Sequence, residues 1–363
     1  MTEATLSRQP LYSARPTLRL AGQADVRLSS LLIDMRMDEG EGGMSRLELR
    51  LSNLVGVEGG ATEPGFDAGS DLKLGAALEV YAGDVQAPVE IFRGKVSAIE
   101  LLYTMGGAPE LAVLAEDALQ TARMARRSKV YADKSPADVV REVASGLGLR
   151  PTINGLASPS GTWAQINESD LAFLRRLLAR FDADLQIVGD ALQVSPRGEV
   201  ARGEVALAMF GQLVRARVIA DLSQQVTRVS AAGWNPVDGS AVRHEATQAT
   251  QAGPGQGRSG AQWLREALGE RSEHIGHLAV GTGAEAQAVA TAAFDQRARR
   301  FVCLDGVAEG NPAIRVGTTV AVSGLSAQFD NRYYVSRATH LFDQAQGYRT
   351  EFTGECAWLG VGS

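Results

Sequence analysis

The sequence has few lysines, histidines and aromatic residues, and it has no excess of positive charge. Of its 363 residues, 36 are lysine or arginine and 42 are aspartate or glutamate, so the net charge is −6. Nucleic-acid-binding domains are usually basic, so this charge argues against that class. Lysine occurs only at Lys73, Lys95, Lys129 and Lys134. Because arginine supplies nearly all the positive charge and Ala and Gly are abundant, we interpret the skew as genome composition.

Cysteine is also scarce, and the sequence lacks targeting and membrane signals. Cys303 and Cys356 lie on separate predicted strands, and two thiols do not make a disulfide framework. The N-terminus has no basic-then-apolar signal pattern, and no apolar run approaches the length that spans a bilayer. We therefore expect a chain made in the cytosol, without membrane insertion, with both cysteines reduced and buried. A disulfide between the two strands is the less favoured alternative.

The last fifty residues carry the strongest pattern. Near the C-terminus, alternate residues are mostly apolar and the residues between them are polar, which is typical of a strand with one buried face. The apolar set is Tyr348, Thr350, Phe352, Cys356 and Trp358, with Gly354 in the gap. The polar set is Arg349, Glu351, Thr353 and Glu355. Turn residues at Asp330-Asn331 and Gln346-Gly347 complete the prediction of an antiparallel meander.

Strand-like and helix-like stretches alternate along the chain. Short alternating stretches with frequent turn residues fill residues 1–120, as is typical of a β-barrel or β-sandwich. Residues 121–210 indicate a small α+β block, and strands return at 211–250. Helical patterns at 251–300 precede the final strands at 301–363. We therefore predict an α+β, mainly β fold with two β blocks of similar size, although no clean sequence repeat supports a duplication.

Capping signatures predict where four helices begin. In each, a residue suited to the N-cap is followed three positions later by an acid or amide, so that free backbone N–H groups gain acceptors. The four pairs are Ser135 with Asp138, Asn167 with Asp170, Ser259 with Gln262, and Thr282 with Glu285. The first of these also has proline at the next position, which favours a helix start.

One segment imitates a dinucleotide-binding fingerprint. Gly281-x-Gly283-x-x-Ala286 follows a short predicted strand and opens a helix, and Asp305 ends the next strand. Such glycines let the backbone approach a pyrophosphate, and such an acid binds a ribose hydroxyl. However, the turn is already explained as a helix cap, Glu285 places a carboxylate where the pyrophosphate should lie, and no further βαβ units follow. A dinucleotide-binding enzyme is therefore the alternative hypothesis.

No other cluster indicates catalysis, a cofactor or a metal ion. His274 and His277 are three residues apart, but no third ligand shares a known zinc spacing with them. The sequence has no Gly-x-Ser-x-Gly elbow. A basic cluster is better interpreted as a solvated or protein-contacting face, since only one aromatic residue lies nearby. The cluster consists of Arg123, Arg126, Arg127 and Lys129. We therefore predict no catalytic, cofactor-binding or metal-binding residues and no enzyme activity.

Several segments, in this order and spacing, resemble the phage late control D / VgrG-like family of tail hub proteins. They are FRGKVSAIEL at 92–101, AEDALQTARMARRSKVYADKSPADVVREVASGLGL at 115–149, INESDLAFLRRLLARFDADLQI at 166–187, and NPAIRVGTTVAVSG and FDNRYYVSRATHLFDQAQGYRTEF within 311–352. The resemblance spans about 90–355. Members of this family are hubs of contractile tails, phage-tail-like injection particles and type VI secretion systems.

The resemblance implies a scaffold with two tube-like antiparallel β-barrel domains and small α/β inserts. The expected divisions are residues 1–120 for the first tube-like domain, 121–210 for the α+β insert, 211–250 with 301–363 for the second tube-like domain, and 251–300 for the helical insert. Three copies would form a ring of pseudo-sixfold symmetry that adapts a sixfold tail tube to a threefold spike.

The resemblance also implies partners and a location. The partners are further copies of the chain, a trimeric spike, the tail tube or its first ring, and baseplate wedge components, with no nucleic acid. Because the sequence stops at Ser363, we expect a hub-only subunit whose spike is a separate polypeptide. It would assemble in the cytoplasm as part of a phage tail or a phage-tail-like particle.

Overall fold

The structure is a computed structural model that describes residues 12–56, 62–66, 71–84 and 86–360. The N-terminal segment on which the prediction of no signal peptide depends lies largely outside these residues, as does the terminal Ser363. Elements are numbered below in chain order.

The first stretch of the chain is almost entirely β-structure. It contains β1 (Tyr12–Leu20), β2 (Gln23–Ala24), α1 (Val26–Ser30), β3 (Leu32–Gly40), β4 (Arg46–Ser52), β5 (Leu54–Gly56), β6 (Thr62–Pro64), β7 (Ala77–Asp84), β8 (Val89–Leu102) and β9 (Glu110–Glu116).

The second stretch mixes helices and short strands. It contains α2 (Gln120–Met124), β10 (Arg126–Lys134), α3 (Pro136–Gly146), β11 (Arg150–Ile153), β12 (Gly161–Ser169), α4 (Asp170–Ala179), β13 (Ala183–Val188), β14 (Ala191–Pro196) and a 3-10 turn at Arg197–Glu199.

The third stretch returns to strands around two helices. It contains β15 (Glu204–Ala208), β16 (Leu213–Ala220), β17 (Arg228–Asn235), β18 (Ser240–Ala246), β19 (Arg258–Ser259), α5 (Gly260–Ala267), β20 (Ser272–Ile275), α6 (Gly283–Arg299), β21 (Val302–Glu309), β22 (Thr319–Ser323), β23 (Arg332–Asp343), β24 (Gly347–Cys356) and β25 (Trp358–Leu359).

One thirteen-stranded sheet organises the molecule. Its path runs β16-β21-β24-β23-β3-β4-β9-β8-β7-β1-β2, and β22 joins β23 to β15 beside that path. All pairs in it are antiparallel except β15 with β22. The predicted mainly β, α+β fold is thus confirmed, and the two β blocks are joined edge to edge.

The sheet consists of two units that share one strand arrangement. The first sheet unit is ordered β3-β4-β9-β8-β7-β1, and the second sheet unit is ordered β16-β21-β24-β23-β22-β15. In chain order within each unit, both are second-third-sixth-fifth-fourth-first. The fifth strand of each also shifts register at a matching place, between Val96 and Ala98 in β8 and between Val335 and Arg337 in β23. This common order and common bulge indicate an internal duplication of the fold.

Four hydrophobic clusters follow these divisions, with one exception. The first sheet unit, the α+β insert, the second sheet unit and the helical insert each enclose a cluster of buried residues. The exception is Phe342 and Tyr348, which lie on β23 and β24 but pack in the cluster of the first unit. The second unit therefore contributes side chains to the core of the first.

Of the two helix starts that capping signatures predicted in the α+β insert, one is confirmed and one is wrong. Ser135 and Asp138 form a complete capping box at the start of α3. The predicted start of α4 at Asn167 is wrong, because β12 continues to Ser169, whose side chain caps the helix instead. Pairing of β12 with β10 as far as Ser169 holds this segment extended and so delays the helix.

The helical insert contains its own small sheet. Strand β17 lies in the middle and pairs with β18 on one side and with β20 on the other, and α6 packs against β17 and β18. Residues 228–246 therefore belong to the small sheet beside the helices and not to the thirteen-stranded sheet. The sequence pattern instead groups residues 211–250 with the final strands. The domain boundaries themselves stay a prediction. The capping box of Ser259 and Gln262 and the N-cap at Thr282 form as predicted.

The terminal strand has the two faces that its alternation predicted. Along β24, Tyr348, Thr350, Phe352 and Cys356 are buried, while alternate residues are partly exposed. Glu355 is an exception, since it is buried beside Arg299 at 3.8 Å. Cys303 and Cys356 are free thiols; Cys356 is buried as predicted, whereas Cys303 is only partly buried because it lies on the other face of the sheet. Cys356 lies opposite Val302 in the sheet. Cys303 follows Val302 along β21, so its side chain points to the opposite face from that of Cys356.

Candidate functional site

The two sheet units meet at a joint formed by β3 and β23, which we call the internal joint. Seven antiparallel pairs run from Arg337 with Gly40 to Asp343 with Asp34. The partners are almost 300 positions apart in sequence, so neither alternation nor turn residues could predict their pairing. The internal joint connects the two six-stranded units into one continuous sheet.

A buried ion pair braces this joint. Glu39 on β3 accepts hydrogen bonds from Arg315 Nε at 2.8 Å, Arg315 Nη2 at 2.6 Å and the Val316 backbone at 2.6 Å. Burial alone would raise the pKa of Glu39, but the Arg315 charge and these hydrogen bonds hold it below its ordinary value. The carboxylate therefore stays charged and ties the segment before β22 to the first unit.

A histidine lies at the centre of the joint. His340 is fully buried, and its Nδ1 is 2.7 Å from the hydroxyl of Tyr348. Burial, followed by the nearby Arg315 charge, lowers the pKa of His340 to about 3, against an opposing effect of Glu39. The imidazole is therefore neutral at physiological pH, as suits a packed residue. The sequence identified no role for His340, Glu39 or Arg315, because only the long-range pairing brings them together.

Several edges of the large sheet are open within the described chain, and two of them are β16 and the second half of β8. Strand β16 pairs only with β21, and β8 pairs with β7 only as far as Lys95. Beyond that point the second half of β8 keeps β9 on one side and no strand on the other. Leu101 and Tyr103 there are 53% and 72% exposed. Open edges expose unpaired backbone groups that other strands can complete.

Hydrogen bonds and an ion pair connect the β3–β4 turn to the α+β insert. Arg175 donates to the carbonyls of Gly42 at 2.6 Å and Gly43 at 2.8 Å, and Asp184 accepts from the Gly42 backbone at 2.7 Å. Arg197 pairs with Glu41 on the same turn. These contacts fix the insert relative to the sheet, so the joint, the insert and the edges form a connected unit.

A buried cluster of charged side chains connects the α+β insert to the helical insert. Asp182 accepts from Arg197 at 3.0 Å and from Arg299 of α6 at 2.9 Å. Arg299 in turn lies near Glu355 on β24. The cluster thus connects both inserts with the sheet. A buried network of this kind is by itself weak evidence for net stability, whereas removal of one partner leaves an uncompensated buried charge.

The segment that imitates a dinucleotide fingerprint forms a helix cap. The Glu285 carboxylate accepts from the Gly281 backbone at 2.7 Å, and Thr282 Oγ1 accepts from the Glu285 backbone at 3.1 Å. Gly283 begins α6, and Ala286 is buried in the cluster of the helical insert. A carboxylate therefore occupies the position that a pyrophosphate would need. The adjoining sheet has one antiparallel and one parallel pair rather than a run of parallel strands.

The other residues singled out in the sequence are dispersed. His274 Nδ1 lies 3.0 Å from the Ser230 hydroxyl. The basic cluster is largely paired, with Arg127 3.0 Å from Asp170 and Lys129 2.6 Å from Glu142. Among the described residues, no group of three His, Cys, Asp or Glu could hold a metal ion. The helices in the described part of the chain are too short or too polar to cross a membrane.

The cysteines have environments that suppress their reactivity. Burial raises the pKa of Cys303 to about 11 and that of Cys356 to about 12. Both thiols are therefore protonated at neutral pH and are weak nucleophiles.

This fold is that of phage tail proteins. The chain is similar to the 43 kDa tail protein of prophage MuSo2 from Shewanella oneidensis, with TM-score 0.68, 13% identity, and coverage of 94% of this chain and 97% of that one. It is similar to a tail protein from Neisseria meningitidis MC58, with TM-score 0.64, 10% identity, and coverage of 95% and 97%.

A third similarity extends to secretion systems. The Escherichia coli protein c3393, a component of the type VI secretion system with structural similarity to the T4 bacteriophage tail proteins gp27 and gp5, matches with TM-score 0.59 and 11% identity. The match covers 95% of this chain and 79% of that one. No curated protein sequence matches the chain.

At the level of sequence, the model of the Alg8 N-terminal domain matches residues 51–344. The chain belongs to the Alg8 N-terminal domain family. The family resemblance drawn from the sequence is therefore only partly supported, because the matching model is not that of late control D, whereas the fold is that of phage tail and type VI secretion proteins.

Proposed function

We propose that the chain is a baseplate hub subunit of a phage tail or a contractile injection system, built like late control D and VgrG proteins. Three copies form a ring that adapts a sixfold tail tube on one side to a threefold spike on the other. The subunit is structural and catalyses no reaction.

The observation that carries this proposal is the repeated strand order of the two sheet units. Each chain supplies two units of the same strand order, joined side by side through the internal joint; they differ in orientation only at the last pair, which is antiparallel for β1 with β7 and parallel for β15 with β22. Three chains therefore supply six similar units around one axis, while the inserts recur only three times. A closed ring of this kind presents near-sixfold symmetry on its sheets and threefold symmetry on its inserts.

The other parts of the proposal follow from this arrangement. We propose residues 1–120 and 211–250 with 301–363 as the tube-like domains and 121–210 and 251–300 as the inserts. Within these bounds, β17 and β18 pair with β20 beside the helices, and β15 pairs with β22 of the second sheet unit. The sheets contact the tail tube or its first ring, and the remaining contacts are with a trimeric spike and baseplate wedge components. The particle assembles in the cytoplasm. The tail-protein fold and the family-like segments at 92–101 and 311–352 support this assignment.

Light scattering coupled to size exclusion tests the oligomer. We expect a mass three times the 38.4 kDa of one chain, and class averages of negatively stained particles with threefold symmetry. Co-expression with spike and tube proteins encoded beside the gene should yield a co-purifying complex. A chain that stays monomeric at micromolar concentration and captures neither neighbour would contradict the proposal.

The alternative hypothesis of a dinucleotide-binding enzyme receives no support from the site. The Glu285 carboxylate already accepts the Gly281 N–H, so an incoming pyrophosphate would meet like charge. A thermal-shift titration with NAD and NADP checks this directly, and we expect no change in Tm.

A further inference from the structure

The second half of β8 is an unusual open edge. It continues beyond the last β7 pair; Leu101 near its end is 53% exposed, and Tyr103, the first residue after the strand, is 72% exposed. A strand edge with exposed apolar side chains promotes association, which proteins normally avoid unless a partner covers it. Among the described residues, no strand of the same chain pairs with this side of β8.

The internal joint shows what covers the equivalent position in the second unit. There, the first half of β23 pairs with β22 and its second half pairs with β3. The bulges on β8 and β23 align the two strands, so that Val96 and Ala98 correspond to Val335 and Arg337. Counting onward, Leu101 corresponds to His340 and Tyr103 to Phe342. His340 is 0% exposed and Phe342 is 4% exposed.

Strand β16 is the counterpart of the strand that covers β23. The pairings fix this equivalence residue by residue. Leu47 pairs with Met37 and Ala115 in the first unit, and Leu304 pairs with Val218 and Gly354 in the second. Ala115 and Gly354 are in turn the partners of Val96 and Val335. Val218 on β16 therefore corresponds to Met37 on β3. Apart from a single bridge between Leu213 and Met209, the outer side of β16 has no partner strand among the residues that the structure describes.

We propose that β16 of one copy pairs antiparallel with the second half of β8 of the next copy, in the register of the internal joint. This external joint deepens the proposed hub function, because it names the surfaces through which the ring closes. The predicted pairs are Ile99 with Ala220, Glu100 with Ile219, Leu101 with Val218, Leu102 with Arg217, Tyr103 with Ala216, and Thr104 with Arg215.

The side chains suit this register. On the core-facing side, Leu101 meets Val218 and Tyr103 meets Ala216, as His340 meets Met37 and Phe342 meets Met35 in the internal joint. The partly buried Ala216, Val218 and Ala220 already pack on the core of the second unit, and the neighbour's apolar side chains would extend that core. On the other face, Glu100 lies opposite Ile219 and diagonal to Arg217, Leu102 lies opposite Arg217, and Thr104 lies opposite Arg215, with both arginines exposed. Both open backbone edges gain hydrogen-bond partners.

An engineered cross-link tests the register. In a Cys303→Ser background, Glu100→Cys with Ile219→Cys should form a disulfide between copies on mild oxidation, giving covalent dimers and trimers on non-reducing gels. The background change is needed because Ile219 pairs with Cys303 inside the chain. The matched control is Glu100→Cys with Arg215→Cys, which lies on the same face but about 13 Å out of register, so it should cross-link at least tenfold less.

The outcomes separate this inference from the proposed function. A trimer by light scattering with efficient cross-linking only in the matched pair supports both. A trimer in which the matched pair cross-links no better than its control overturns the register while the hub function stands. A chain that remains monomeric overturns the proposed function and the external joint together.

A second variant does not depend on cysteine chemistry. Tyr103→Ala should leave the Tm of the dissociated chain unchanged and weaken trimer formation about thirtyfold, as for a buried aromatic anchor at an interface. Val237→Ala is the control, because Val237 is 89% exposed on the β17–β18 turn, outside both joints. Equal, small effects of the two substitutions on the trimer would overturn the external joint.

Discussion

The two sheet units have the same strand order, yet their corresponding side chains have opposite environments. Phe342 and His340 in the second unit are buried, whereas Tyr103 and Leu101 at the matching positions of the first unit are exposed. The difference does not come from the units themselves. It arises because β3 covers the second half of β23, and nothing in the described chain covers the second half of β8. For these side chains, the presence or absence of a neighbouring strand from the other unit determines whether they are buried.

The chemistry of the two edges differs in a way that fits their partners. The covering strand β3 carries Glu39, held by Arg315, whereas β16 has Ala220 at the matching place. A carboxylate can be buried inside one chain because its arginine is always present. On an edge that is exposed before assembly, alanine avoids the desolvation cost that a charged group would carry on burial. The internal joint is thus built as a permanent contact.

The largest expected effect comes from truncating the aromatic residue at each edge. Phe342→Ala should lower the free energy of unfolding by about 4 kcal/mol, because it removes a ring from the core of the first unit. Tyr103→Ala should change it by less than about 0.5 kcal/mol in dissociated protein, because the ring is mostly solvated. Urea unfolding monitored by far-UV circular dichroism at submicromolar concentration measures both values. Similar losses for the two variants would mean that the edges are not different in the single chain.

The next effect concerns the ion pair of the internal joint. Glu39→Ala should destabilise the chain by about 3 kcal/mol, because it leaves Arg315 and the Val316 N–H without their acceptor. Glu204→Ala is a matched control, since Glu204 pairs with Arg332 at an exposed site and should matter by less than about 1 kcal/mol.

The same two variants allow a sharper check of the joint. Hydrogen exchange should be faster in β3 and β23 of Glu39→Ala and unchanged in those strands of Glu204→Ala, because only the first substitution loosens the contact between the units. A loss of stability without faster exchange at the joint would contradict the role that we assign to Glu39.

The sequence predicted the local parts of this architecture and missed the parts that depend on distant pairing. The faces of β24 and the boxes at Ser135 and Ser259 follow from short-range patterns, which survive in the fold. The start of α4 was misplaced because the pairing of β12 with β10 overrides a plausible cap. In each case the error or success follows from the sequence separation of the contacts involved.

The sequence suggested a duplicated or paired architecture from its two β blocks, but it did not show how the blocks correspond or how they join. Alternation says which face of a strand is buried, but not which strand lies beside it, so the internal joint could not be derived. One signal was present, since KVSAIELL at 95–102 and YVSRATHL at 334–341 share a Val-Ser pair at the bulge. With Leu102 and Leu341, the two segments share three residues, which are too few to establish a repeat without the pairing.

The smallest expected effect is the pH dependence of the internal joint, and it arises from His340, a second polar core position that the two edges do not share. His340 has its pKa lowered to about 3 by burial and by Arg315, with Glu39 opposing and the hydroxyl of Tyr348 as its neighbour. An unfolded histidine has a pKa near 6.5, so the unfolded state binds more protons between about pH 3 and pH 6.5. Stability should therefore fall as the pH drops below about 6.5. From pH 7.5 to pH 5 the loss attributable to His340 is about 2 kcal/mol.

His340→Leu, which copies Leu101 of the first unit, isolates this contribution. Urea unfolding across the same pH range should show a decline that is shallower than in the original chain by about 2 kcal/mol. His274→Leu is the control, because that residue lies outside both sheet units and only its contact with Ser230 would be lost. Parallel pH profiles for the original chain and His340→Leu would show that His340 accepts a proton within the folded joint. In that case, burial of a neutral His340 would not account for the chemical difference between the two edges.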